Sequence, residues 1–246
     1  MKITLNYSPN FDSRKRTAKE IKFIVYHYTG MKKERDAICR LTSQKSKVST
    51  HYLIKRNGEI LKLVPELYIA WHAGVSYWKN YKLINKNSIG IEISNAGHDY
   101  KYTKFTKEQI KSVLRLSKNL IKKYKIKSNF VLGHSDISPD RKKDPGEKFP
   151  WKYISKKKIG YWHNVNEKKL LKSRNHIISK VDKNLFFRNL YKIGYSKNFN
   201  KKNNIFLKKL TMAFQRRFRQ KLVNGIVDEE CLIISKNLTK KLSNFS

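Results

Sequence analysis

A chain of 246 residues with 39% hydrophobic and 12% aromatic content can bury a sizeable core, which excludes a disordered polyelectrolyte despite a formal net charge of +38. Two cysteines, Cys39 and Cys231, sit far apart and outside any C-x-x-C pattern, which speaks against a disulfide scaffold and a thiolate metal site. No segment approaches the roughly 18 apolar residues of a membrane span, and the opening MKITLNYSPNFDSRKR has no uninterrupted apolar run of signal-peptide length.

The basic residues are mostly lysines, spread along the chain beside Asn and Ile. A dedicated phosphate surface clusters arginine and basic residues on one face. The spread pattern fits a compositional drift instead, so no nucleic-acid partner is expected.

In chain order, IKFIVYHYTG (21–30) is a β-branched and aromatic run closed by Thr-Gly, predicting a buried strand with His27 near its carboxyl end. A weak helix is expected over 32–45. In HYLIKRNGEILKLV (51–64), Asn57-Gly58 between apolar arms predicts a hairpin. In SIGIEIS (88–94), Ile89, Ile91 and Ile93 alternate with Gly90 and Glu92, which puts Glu92 on the face opposite the isoleucines. Thr106 with Gln109 reads as a capping box for a helix carrying Ile110, Val113, Leu114, Ile121 and Tyr124 on one stripe. NFVLGH (129–134) predicts another strand, which delivers His134 into a site. These elements predict an α/β fold, a mixed central sheet flanked by helices.

From residue 165 on, no strand runs are evident. Helices are expected at about 183–192, at 203–225, where Leu207, Leu210, Phe214, Phe218 and Leu222 keep helical spacing and Gly225 stops the run, and at about 228–241, behind the acidic start Asp228, Glu229 and Glu230. The expected division is an α/β domain at 1–170 and a small three-helix domain at 171–246, with the linker between 160 and 180.

The loop VLGHSDISPDRKKDPGEKFPW (131–151) concentrates His134, Asp136, Asp140 and Asp144 in a lysine-dominated chain. Proline, glycine and aspartate suit a surface turn. The strand leading into His134 suits a site. Two imidazoles and one carboxylate, His27 and His134 with Asp144, also match a catalytic metal centre that keeps one position open. His98, His163 and His176 read as packed or surface imidazoles.

The blocks IVYHYTG, STHYLIKRNGEILKLVPE, AWHAG, NSIGIEISN and GHSDISPDRKKDPGEKFPW together resemble the zinc-dependent N-acetylmuramoyl-L-alanine amidases. This is the type 2 amidase fold shared with peptidoglycan recognition proteins and phage T7 lysozyme. All five occur in the family's order over about 21–155. The tail, with MAFQRRFRQKLVNGIVDEE, is similar to the helical peptidoglycan-binding-like domain of the two-domain envelope amidases.

The resemblance implies one Zn2+ per chain on His27, His134 and Asp144. It implies Glu92 as the proton-handling acid and Lys142 as the oxyanion cation, with His51, Trp71 and His72 lining or shaping the substrate cleft. It implies hydrolysis of the bond between muramic acid and L-alanine in peptidoglycan or muropeptides, anhydro-muropeptides included. The helical tail points to an envelope location and the lack of a leader to a cytoplasmic one. A wall-binding protein without catalysis is the alternative on the same fold, and the filled ligand set speaks against it.

Overall fold

Apolar β-branched runs form the centre of a six-stranded sheet in the computed structural model, which describes residues 3–196 and 203–243. The strands are β1 (Ile3–Leu5), β2 (Phe11–Asp12), β3 (Phe23–Tyr28), β4 (Tyr52–Ile54), β5 (Ile60–Lys62), β6 (Ile69–Ala70), β7 (Tyr77–Trp78), β8 (Tyr81–Lys82), β9 (Ser88–Ile93) and β10 (Val131–Gly133). The helices are α1 (Glu34–Thr42), α2 (Lys107–Tyr124), α3 (His134–Ile137), α4 (Trp151–Lys156), α5 (Glu167–Ser173), α6 (Lys180–Ile193), α7 (Asn204–Phe218) and α8 (Glu229–Ser243). The main sheet runs β1-β5-β4-β9-β3-β10, and only the β4–β5 hairpin is antiparallel. The expected mixed sheet flanked by helices is therefore present.

Local rules account for the elements that place the site. Thr106 and Gln109 close the capping box of α2, each side chain meeting the other's backbone amide. In the β4–β5 turn Gly58 has φ +85°, a left-handed conformation that glycine adopts freely. The central strands β9, β3 and β10 run parallel with their carboxyl ends at one edge, the edge where α/β sheets place their ligand sites.

Alternation divides the side chains between two faces. Ile24, Tyr26, Ile89, Ile91 and Ile93 pack with Val113, Leu116 and Leu120 of α2. On the other face Phe23, Val25 and Leu132 join Phe186, Leu190, Phe214 and Ile234 in one continuous apolar cluster. The helices expected after residue 171 form, and their core is continuous with that of the sheet. Residues 197–202 and 244–246 of that expected segment lie outside the described residues.

Two expectations shift. A short helix, α5, occupies the stretch read as linker. The helix expected over 203–225 stops at Phe218, because the Arg219 backbone leaves the helical region at φ −134°. Its guanidinium is held by Asp228, Asn224 and the Leu222 carbonyl. Gln215 meanwhile accepts the Asn224 and Gly225 amides, so tertiary bonds override the helical spacing of Leu222.

Candidate metal centre and cleft

Three neighbouring strands supply the site because their carboxyl ends coincide. His27 leaves the end of β3, opposite Glu92 on β9 in the strand register. His134 follows β10 directly as the first residue of α3. Asp144 is returned to the same point by the loop after α3, where Ser135 donates its amide to the Asp144 carbonyl at 2.8 Å. Gly133 permits this approach, since a Cβ there would sit 2.7 Å from Pro145 Cδ.

The three side chains are buried and their ligating atoms nearly touch. His27 Nδ1 lies 2.9 Å from His134 Nδ1 and 3.0 Å from Asp144 Oδ2, and His134 Nδ1 lies 3.1 Å from the same oxygen. Among the described residues this is the one group of His, Cys, Asp or Glu side chains drawn together tightly enough to hold a metal ion. The hydrogen bonding argues for a cation there. His134 Nε2 donates to the Ala73 carbonyl at 3.2 Å, so a neutral His134 turns an Nδ1 lone pair toward the carboxylate. A lone pair and a carboxylate oxygen at that distance repel unless a positive charge stands between them.

The electrostatics agree with a neutral imidazole beside an ionised carboxylate. Burial, then the neighbouring His134, lowers His27 to about 4. Burial opposes ionisation of Asp144, but His134 and His27 outweigh it and hold the carboxyl well below the usual range. Glu92 goes the other way, pushed up to about 8 by burial and then by Asp144, with Lys142 opposing. Its Oε2 is buried without a partner among the described residues.

A cleft of about 440 Å³ opens over these groups, lined by Glu92, Lys142, Trp71 and His72 together with His27, His134 and Asp144. Trp71 is fixed by its Nε1, which donates to Asp12 at 2.7 Å. His51 differs from expectation. It is fully buried beneath the cleft and lines none of it, because its Nδ1 accepts the Gly90 amide and its Nε2 faces the Tyr68 carbonyl. His51 therefore ties the sheet to the 65–70 loop.

Sequence reasoning also missed the holders of the site. Arg141 grips the Ala73 and Val75 carbonyls at 2.6 Å each. Asp136 caps its own turn by accepting the Gly133 amide, and Arg217 of α7 pairs with the same oxygen. The Gly133 to Asp136 spacing signalled the cap. Nothing local signalled Arg217.

The comparisons with known proteins follow the same outline. Residues 17–147 match the family model described as N-acetylmuramoyl-L-alanine amidase. The chain is 34% identical to N-acetylmuramoyl-L-alanine amidase AmiD of Escherichia coli K12 over 236 residues, 90% of this chain and 83% of that protein. It is 43% identical to the E. coli K12 1,6-anhydro-N-acetylmuramyl-L-alanine amidase AmpD over 105 residues, 43% of this chain and 55% of that protein. The solved structure of E. coli AmiD with anhydro-N-acetylmuramic acid-L-Ala-D-gamma-Glu-L-Lys superposes with a TM-score of 0.81 at 32% identity, covering 94% of this chain and 92% of that one. AmpDh3 of Pseudomonas aeruginosa, in complex with anhydromuramic pentapeptide, superposes with a TM-score of 0.80 at 29% identity, covering 95% of this chain and 97% of that one. The chain belongs to the N-acetylmuramoyl-L-alanine amidase family.

Proposed function

We propose that the protein is a zinc-dependent amidase that hydrolyses the bond between the lactyl carbonyl of N-acetylmuramic acid and L-alanine, in peptidoglycan or its fragments, anhydro-muropeptides included. The observation that carries the reading is the triangle of His27, His134 and Asp144 at the floor of a cleft that also holds Glu92 and Lys142. Zinc suits the donor set. Bonds of about 2.0–2.2 Å to tetrahedral N and O ligands give edges of about 3.3–3.6 Å, a few tenths of an ångström beyond the 2.9–3.1 Å separations here. When bound, zinc lowers the pKa of water toward neutrality and polarises a carbonyl.

The chain's own groups do the rest. Glu92, partly buried in the cleft, takes the proton of the attacking water in its ionised form and returns one to the leaving amine. Lys142, half-buried in the same cleft, offers its ammonium to the negative charge that develops on the carbonyl oxygen. Trp71, braced by Asp12, forms a wall against which the glycan or stem packs. A lysine-rich surface attracts the carboxylates of stem peptides and raises their encounter rate.

We place the enzyme in the bacterial envelope, since the likeness to AmiD extends through the tail while that to AmpD covers 43% of the chain. No helix among the described residues is long and apolar enough to cross a membrane. Cell fractionation that finds the protein only in cytosol overturns the placement. The reaction is tested on a purified muropeptide by mass spectrometry, comparing wild type, chelator-treated protein and Asp144→Ala. Free stem peptide from the wild type alone, restored to the chelated sample by zinc, is expected. Intact muropeptide with folded, zinc-loaded wild type overturns the reading in favour of a wall-binding protein.

A further inference from the structure

His72 was expected to shape the substrate cleft, yet both its ring nitrogens are engaged by the protein. Its Nδ1 lies 3.0 Å from Nε2 of His27, and its Nε2 lies 3.0 Å from the hydroxyl of Ser88. The Ser88 hydroxyl is 2.7 Å from the Ile84 carbonyl. These contacts have only one consistent assignment of protons. A carbonyl only accepts, so the single Ser88 proton goes to Ile84. Ser88 must then accept from His72, which places the His72 proton on Nε2 and leaves Nδ1 bare. A bare Nδ1 accepts from His27, which puts the His27 proton on Nε2 and turns its Nδ1 lone pair toward His134 and Asp144.

We propose that Ile84, Ser88 and His72 form a relay that fixes the tautomer of His27 and so prepares its Nδ1 to bind the metal. His72 is thus a positioning residue rather than a substrate contact. The fold invests in it. Gly90 leaves room for the ring, since a Cβ there would meet His72 Cγ at 2.5 Å. Asn85 Oδ1 accepts the amides of both His72 and Ala73, at 3.1 and 2.7 Å. The Ala73 carbonyl beyond them accepts from His134, so the 72–73 segment orients both ligating imidazoles. Partners of this kind set the ring orientation and basicity of metal ligands, and their loss weakens metal binding about 10- to 100-fold.

The proposal rests on the metal site above, and its test needs no substrate. Zinc affinity is measured by competition with a chromophoric chelator for wild type, His72→Leu, His72→Asn and Ser88→Ala. Ring tautomers of the zinc-loaded protein are read from nitrogen-15 shifts. His72→Leu should bind zinc about 10- to 100-fold more weakly. His72→Asn, which keeps an acceptor where Nδ1 stood, should recover most of the loss, and Ser88→Ala should fall between. His72 should carry its proton on Nε2. A wild type that binds no zinc sinks the metal site itself. Tight wild-type binding with His72→Leu and Ser88→Ala both unchanged, or a His72 proton on Nδ1, overturns the relay alone.

Discussion

Two buried polar clusters lie on either side of the turn at His134, and they are built on opposite principles. In the cluster behind the turn, both oxygens of Asp136 are answered. Oδ1 accepts the Tyr195 hydroxyl at 2.8 Å, and Oδ2 accepts the Gly133 amide and the Arg217 guanidinium. In the cluster in front, two imidazole nitrogens and a carboxylate oxygen converge on one point, and Glu92 Oε2 has no partner among the described residues. Native proteins satisfy buried polar groups almost everywhere. The exceptions gather where a ligand completes the set, and here the satisfied cluster braces the unsatisfied one.

The largest expected effect breaks the front cluster. Lowering the pKa of water from about 15.7 to about 7 corresponds to ~12 kcal/mol of hydroxide stabilisation. Asp144→Ala or chelation should therefore abolish measurable turnover while far-ultraviolet circular dichroism stays unchanged. Retained turnover without metal would remove the basis of the contrast.

Breaking the rear cluster should instead cost fold. Arg217→Met strands the buried Asp136 carboxylate, removes a 2.9 Å bond to the Val131 carbonyl and removes a guanidinium lying 4.5 Å from the centre of the Trp151 ring. A loss of about 3–5 kcal/mol in denaturant titrations is expected. Arg217→Met with Asp136→Leu should recover part of it, because no lone charge then stays buried.

Lys142→Ala sharpens the comparison from the side of chemistry. It should lower kcat about 10²- to 10³-fold, roughly 3–4 kcal/mol, with zinc content and melting temperature near wild type. A parallel fall in zinc content would assign Lys142 to the fold instead.

The smallest effect is a pH dependence of the zinc-free protein. Glu92 holds its proton up to about 8 when folded, against an ordinary value of 4.5. Between those values the unfolded chain releases a proton that the folded chain keeps, so this contribution is full below 4.5 and fades as pH rises through 8. Glu92→Gln should lose at most about 3.5 kcal/mol less stability than wild type between about pH 5 and 8, read from urea midpoints. Identical slopes would mean that the unpartnered carboxyl is solvated rather than stored.

The front cluster was largely legible in the sequence. The apolar runs ending at His27 and Gly133 announce strand ends, the alternation of SIGIEIS sets Glu92 opposite the isoleucines, and the ordered blocks carry the family resemblance. What stayed hidden depends on contacts between distant positions. Arg217 and Asp136 are 81 residues apart, and no local pattern joins them. His51 and His72 look alike as polar residues beside apolar ones, yet one is sealed under the sheet and the other joins a chain of hydrogen bonds ending at the Ile84 carbonyl. Helix α7 was placed correctly at its start, but the grip of Asp228 on Arg219 decided its end.

The clamp from α7 onto the turn after β10 also has a meaning for biosynthesis. The three candidate ligands are all translated by residue 144, whereas Arg217 and the α6–α8 side chains that cover the same sheet face follow later. The nascent chain thus carries His27, His134 and Asp144 before it has the Arg217 brace on the turn that follows β10. A chain broken before α7 keeps all three of these side chains but lacks the Arg217 partner of Asp136 and the helices that cover this sheet face.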